Sequence, residues 1–489
     1  MSKKAVVIGS GFAGLSAASF LAKAGWQVTV LEKQSTAGGR ARQLKSDGFT
    51  FDMGPSWYWM PDVFEHYFNQ FGYQVKDFYS LTRLDPSYRV YWESDFDDIP
   101  ADLSSLTNFF ESLESGSGKK LHAFLAEAEF KYKTGMQQLV YKPGRSLLEF
   151  ADWNVLKGML RLDVFTSIRK HIRKRFKNER IRQLLEFPVL FLGALPQNTP
   201  ALYSLMNYAD LVGGTWYPSG GMYSIVEAMQ KVAVNLGVSF HFNQTASEIK
   251  VAGDHAESVI TGTATYDADV VVAAADYHHV ETDLLQKSSR SYTETYWDSR
   301  QLAPSCLLYY IGLNRKLKNV AHHSLFFDTS FEKHGKEIYA SKEWPADPLF
   351  YVNIPSVTDS ACCSPGHENL MFLIPVASGL TDDDETKRDF YFRKIIKRFE
   401  NRIGQNVSDA IIFQKSFACS DFVNEYNSFK GNAYGLANTL SQTALLKPSC
   451  RSRKIGNLFF AGQLTVPGPG VPPALISGEV VASEVLKFF

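Results

Sequence analysis

Apolar and polar positions change character sharply over the first thirty residues. Ala5–Ile8 is an unbroken apolar run of strand length, Gly9 to Gly11 interrupt it, and Phe12–Ala22 is a stretch of small and apolar residues long enough for a helix. A second run, Gln27–Leu31, reads as another strand and ends at Glu32. Much later, Leu307–Leu313, Leu349–Ile354 and Leu370–Val376 are short apolar runs bounded by turn residues and read as strands, and Arg388–Ile403 reads as a helix with alternating faces. Between these blocks, Phe165, Ile168, Ile172 and Phe176 recur every three or four residues amid Arg169, Lys170, Arg173, Lys174, Arg175, Lys177, Arg180 and Arg182. That pattern predicts one basic amphipathic helix within 158–185. It would either lie on an anionic membrane surface or pack on the protein with a solvated basic face.

The first turn carries chemistry. Gly9, Gly11 and Gly14 have the G-x-G-x-x-G spacing: the first permits a tight turn, the second lets backbone approach a pyrophosphate, and the third lets helix and strand pack closely. The helix that starts at Phe12 and Ala13 offers free N–H groups to that pyrophosphate. Glu32, followed by Lys33, stands where a carboxylate takes the ribose hydroxyls of an adenosine, roughly 20 residues on. Next come Gly38, Gly39, Arg40, Ala41 and Arg42, two glycines beside a cationic fork suited to phosphate or carboxylate.

Composition narrows the partners. The chain has 489 residues, 45% of them apolar, and a formal net charge of zero, so nothing global argues for nucleic acid. Cys306, Cys362, Cys363, Cys419 and Cys450 form no metal or disulfide framework, which fits a reducing compartment, and no metal is expected. The uncharged N-terminal run contains the nucleotide turn, so it is not read as a cleaved signal. The uncharged stretches 187–209 and 458–478 hold several prolines and read as cavity walls rather than membrane spans. A cytoplasmic protein is expected.

With Gly38–Arg42 in place, the chain resembles the FAD-dependent superfamily of amine oxidases, protoporphyrinogen oxidases, Rab escort proteins and carotenoid desaturases. Phe51–Ser56 resembles its D-x-G-P-S turn and Tyr217–Met222 its P-x-G-G-M turn before a helix. Asp269–Asp276 resembles the strand that closes the nucleotide sheet. Leu458–Gln463 and Gly468–Pro473 resemble the strand, turn and helix under the flavin ring. Gly54–Trp57, Leu349–Ser356, Tyr434–Asn438 and Pro467–Pro473 are similar to the bacterial-type phytoene desaturase family over essentially the whole chain.

That resemblance implies an α/β protein: a discontinuous Rossmann-like FAD-binding domain (1–80, 215–285, 425–489), a second α+β substrate-binding lobe (81–145, 286–424), and a helical, membrane-facing lid (146–214). It implies FAD held by Gly9, Gly11, Phe12, Ala13, Gly14, Glu32, Lys33, Gly38, Gly39, Arg40, Ala41, Pro55, Ser56, Ala246, Gly462, Gln463, Gly470, Val471, Pro472 and Ala474. Trp57, Trp59, Phe187, Phe191, Tyr203, Trp216 and Phe350 would line an apolar substrate cavity, and Asp52 is the candidate for flavin-side electrostatics or proton uptake, the alternative being that it merely bonds turn backbone. Three positions depart from relatives: Val466 replaces a histidine, Gln463 an acid, and Ala246 a valine that binds adenine through backbone.

The implied activity is desaturation of a linear carotene such as phytoene, with hydride passing to flavin N5 and electrons onward to quinone or oxygen. A carotene resides in lipid, so the enzyme must meet a bilayer surface and is expected to be peripheral. Alternatives are a desaturase of hydroxylated or cyclised end groups, a carotenoid isomerase, an amine or porphyrinogen oxidase, and a lipid escort resembling the Rab GDP-dissociation inhibitors.

Overall fold

The computed structural model describes residues 2–144, 166–439, 442–443 and 446–489. Five parallel strands form one sheet: β1 (Lys4–Ile8), β2 (Gln27–Leu31), β3 (Ser239–His241), β4 (Val270–Ala273) and β5 (Leu458–Phe460), in the order β5-β4-β1-β2-β3. Parallel pairing with both faces covered is why β1 and β4 are apolar at nearly every position. The strand of the Asp269–Asp276 segment is therefore interior. It is flanked by β1 and β5, and the edges are β5 and β3.

Three helices cover one face: α1 (Phe12–Lys23), α2 (Tyr223–Asn235) and α3 (Val471–Phe488). Val7, Ala17, Val30, Val272 and Val481 meet there without solvent exposure, each valine contributing about 1.5–3 kcal/mol of burial. The other face packs on a three-stranded antiparallel meander, Ala246–Ala252, His255–Thr261 and Thr265–Asp267.

A second, seven-stranded sheet runs in the order Ile411–Phe417, Ser305–Leu313, Glu368–Val376, Phe350–Asn353, His323–Phe326, Tyr88–Tyr91, Phe96–Ile99. Its alternation divides two cores. Tyr309, Phe350, Val352 and Phe372 face the helix Glu385–Ile403, whereas Leu308, Tyr310, Leu325, Tyr351 and Met371 face the first sheet's side.

The predicted basic helix is two helices, Ile168–Arg173 and Glu179–Glu186; the second is capped by Asn178, whose Oδ1 accepts from Arg180 N at 2.9 Å. Ile168, Ile172 and Phe176 are fully buried. The arginines are paired within the protein: Arg173 with Glu179 and Glu186 (2.7 and 2.8 Å), Arg175 with Glu127 (2.6 Å), Arg180 with Asp95 (2.6 Å), and Arg169 with Glu332. The segment is thus packed on the protein through its arginines, and among its described residues Lys170, Lys174 and Lys177 are the exposed cations. Phe165 and most of the first part of the expected lid lie outside the described residues. Among the described residues no helix is long and apolar enough to cross a membrane.

Candidate functional site

The first βα turn is built by three glycines for three reasons. Gly9 sits at φ +98°, and a Cβ there would lie 3.2 Å from Ala274 O. Gly14 faces the turn itself, where a Cβ would stand 2.0 Å from Gly9 O. Gly11 is in ordinary extended backbone at φ −70°, yet a Cβ there would meet no protein atom within 4 Å. It opens onto a cavity of about 460 Å³, which Phe12 and Ala13 also border. The N-terminus of α1 has no side-chain cap, so its first N–H groups are left for a ligand.

Around this cradle the cavity gathers the other sequence-expected positions. Glu32 is 6% exposed; its carboxylate accepts from Ser10 N (2.8 Å), Ser10 Oγ (2.6 Å) and Gln34 N (2.9 Å), which ties β2 to the glycine turn. Lys33 Nζ donates to Asn424 O at 2.6 Å. Gly38 and Gly39 both have positive φ, and Gly38 N donates to Ser10 O at 2.9 Å, laying the second turn against the first. Arg40 is half-buried there: Nη2 donates to Ser428 Oγ at 2.9 Å, while the buried Nε has no partner among the described residues. Burial pushes its pKa down and Asp276 pulls it back up, so an anionic group would be welcome beside it. Gln463, with its amide turned so that Oε1 faces Arg40, accepts from Nη2 and Nη1 at 3.1 and 3.2 Å. Ala41, Pro55, Ser56, Ala246, Gly462, Gly470, Val471, Pro472 and Ala474 complete this end. Gly470 (φ +112°) precedes α3, a second helix N-terminus without a side-chain cap.

The same cavity continues into the second lobe, where Trp57, Trp59, Phe187, Leu325 and Phe327 border it. Several expected residues are elsewhere. Gly14 serves packing and does not border the cavity. Tyr203 bonds Thr443 at 3.1 Å, and Trp216 donates to Gly213 O at 2.9 Å within a strand pair; neither borders it. Phe350 borders it, but its ring stacks on Phe326 at 4.1 Å on the far side of the sheet, as period two requires. The Phe191 side chain lies outside the described residues.

Asp52 bonds backbone, the second of its two readings. Its two oxygens accept from Met222 N (2.7 Å) and Tyr223 N (3.1 Å), holding the start of α2, and it does not border the cavity. Burial pushes this carboxyl up to about 7, against the pull of those two N–H groups. Sequence reading missed His323, Tyr339 and His334, because their positions depend on how strand His323–Phe326 and the helical residues 331–341 pack. Tyr351 was within reach of the sequence, since it stands in the apolar run Leu349–Ile354 beside Phe350.

An open N–H cradle, a Cβ-sized gap above it and a guanidinium whose Nε is buried with no partner among the described residues fit a dinucleotide cofactor. The family model described as flavin containing amine oxidoreductase matches residues 12–486. The chain belongs to that family. Among its relatives are a carotenoid 3,4-desaturase from Haloarcula japonica, 39% identical over 98% of this chain and 97% of the relative, and a zeta-carotene-forming phytoene desaturase from Myxococcus xanthus, 30% identical over 99% and 94%. A 4,4'-diapophytoene desaturase from Staphylococcus haemolyticus is 30% identical over 98% of both chains. Solved structures share the fold: an oxidoreductase from Methanosarcina mazei (TM-score 0.64, 17% identity, 98% of this chain and 100% of that one) and a putrescine oxidase variant (TM-score 0.64, 13% identity, 100% and 99%). This flavin-containing amine oxidoreductase family member is thus a mixed α/β, FAD-dependent oxidoreductase of the carotenoid desaturase group, acting on carbon–carbon bonds.

Proposed function

We propose that this enzyme introduces a double bond into a linear C40 carotenoid drawn from lipid. The observation that carries this reading is the single cavity, glycine-lined and polar where the dinucleotide would lie and walled by aromatic and aliphatic side chains beyond it. Bound FAD supplies a two-electron acceptor for hydride. The protein's own work is to hold the cofactor through the α1 cradle, Glu32 and Arg40, to exclude water with Trp57, Phe187 and Phe327, and to present one allylic CH₂–CH₂ unit at a time. Segments 1–80, 215–285 and 425–489 serve as the cofactor domain, and the second sheet forms the substrate wall.

The sequence pointed to phytoene. The higher identity to a carotenoid 3,4-desaturase supports the reading of an end-group desaturase acting on a carotenoid, and we take that as the leading substrate class with phytoene second. Docking on a bilayer follows from physics. Moving a carotene from lipid into an apolar cavity gains almost nothing hydrophobically, so the enzyme must collect its substrate at the membrane. Quinone or oxygen would return the flavin to its oxidised state.

The test is incubation with FAD and liposomes carrying either phytoene or a linear carotenoid with hydroxylated end groups, followed by absorption spectra. A red shift with the second substrate and none with phytoene is expected. Colour from phytoene would reverse the preference, and no change with either would refute desaturation.

A further inference from the structure

Desaturation releases a proton as well as a hydride, and Asp52 is aimed away from the cavity. Among the described residues three carboxylates border the cavity, Glu32, Asp276 and Glu425, and all are engaged on its nucleotide side. Glu32 holds Ser10, Asp276 accepts from His279 N and Phe429 N, and Glu425 pairs with Arg42. His334 has both nitrogens occupied: Nδ1 accepts from Leu349 N at 2.8 Å, and Nε2 donates to Pro375 O at 2.9 Å.

Tyr351 is different. It borders the cavity, and its hydroxyl lies 3.0 Å from Ser56 Oγ and 2.6 Å from Nδ1 of the fully buried His323. Asn353 Nδ2 points at the same Nδ1 from 3.4 Å while donating to His322 O at 3.2 Å, which identifies it as the amide nitrogen. A nitrogen approached by an amide N–H must carry the lone pair. The Tyr351 O–H therefore donates to His323 Nδ1, and the Ser56 hydroxyl donates to the Tyr351 oxygen. His323 Nε2 then carries the ring hydrogen and has no partner among the described residues. Trp57 stacks on the imidazole at 4.2 Å and 8°, fixing its plane. Burial, with His322 beside it, holds this imidazole well below its usual pKa, so the ring is neutral at neutral pH.

We propose that Tyr351, backed by His323, is the proton acceptor of the reaction, an inference that rests on the desaturase reading above. Loss of hydride leaves an allylic cation. The neighbouring C–H bond then breaks, and its electron pair becomes the new C=C bond. The proton passes to the Tyr351 oxygen as the tyrosine's own proton passes to His323 Nδ1. The substrate has then lost a hydride and a proton, and the imidazole carries the positive charge. A weak buried base suffices, because delocalised positive charge makes the departing proton strongly acidic.

Tyr351→Phe and His323→Gln test this in FAD-loaded protein with liposome-borne carotenoid. Losing a general base costs about 10²–10⁴-fold, so kcat should fall at least about 100-fold, with KM and FAD content within about threefold of the parent. In His323→Ala, imidazole should restore turnover and pyrrole, of the same shape without a basic nitrogen, should not; rescue by both or by neither overturns the proposal. Histidine ¹⁵N spectra, assigned with His323→Gln, should show Nδ1 unprotonated in the absence of turnover, and a protonated Nδ1 also overturns it. If the parent enzyme converts no carotenoid, the desaturase reading has failed. If the parent converts one and Tyr351→Phe keeps its kcat within about threefold, only the proton acceptor has.

Discussion

Gly11→Ala separates what the fold needs from what the cofactor needs. Gly11 has φ −70° and ψ 179°, a conformation open to any L-residue, and the added methyl would touch no protein atom within 4 Å. Alanine at a helix N-cap costs about 0.5–1 kcal/mol relative to a residue suited to that position. Replacing glycine lowers unfolded-state entropy and returns about 0.4–1 kcal/mol. The cofactor-free protein should therefore keep its urea stability within about 1 kcal/mol. The methyl would instead stand over the open N-terminus of α1 and displace a pyrophosphate. Losing two charge-assisted hydrogen bonds at about 1.5–3 kcal/mol each gives at least about 3 kcal/mol. That weakens FAD roughly 100-fold, read by flavin fluorescence on titrating apoprotein. An FAD affinity within fivefold of the parent would refute the placement. Gly14→Ala is the counterpart: its methyl collides with Gly9 O, so the fold itself should suffer.

Four further outcomes follow from the same structure. Gly478→Ala would place a methyl 2.3 Å from Ala13 O between α1 and α3, so urea stability should fall by about 1–3 kcal/mol despite the helix propensity gained. Lys447 is buried without a partner among the described residues, and burial lowers its amine from 10.5 to about 7. The unfolded chain then binds the extra proton between about pH 7 and 10.5, so stability should rise with pH across that window. Lys447→Met should remove the slope and stabilise the protein most at and below pH 7, by on the order of 4 kcal/mol in urea titrations. Asp52→Asn keeps an acceptor for the start of α2, so turnover should fall less than about 10-fold, whereas loss of a general base would cost about 10²-fold or more. Reversing Lys170, Lys174 and Lys177 to glutamate should weaken binding to anionic liposomes in flotation assays, by about 1 kcal/mol per lysine; unchanged binding would exclude this face as the membrane contact.

The cofactor end was legible in the chain because its parts are local. The turn from β1 into α1 is specified by Gly9, Gly11 and Gly14 within six residues, and the Gly38–Arg40 turn follows on the next strand. Backbone geometry of that kind leaves glycines at fixed offsets, so sequence reading could assign a reason to each. The substrate end was not legible in this way. Tyr351 and His323 lie 28 residues apart and meet because antiparallel pairing sets Leu325 opposite Tyr351, and the pleat turns Tyr351 and Leu325 toward the cavity but Phe350 away from it. Asp52 showed its backbone partners only once the helix after Met222 was laid on it, and the basic stretch showed its acidic ones only when Glu127, Asp95 and Glu332 arrived from distant segments. A side chain's partners across a sheet or between helices depend on register and order, which no short window of sequence contains.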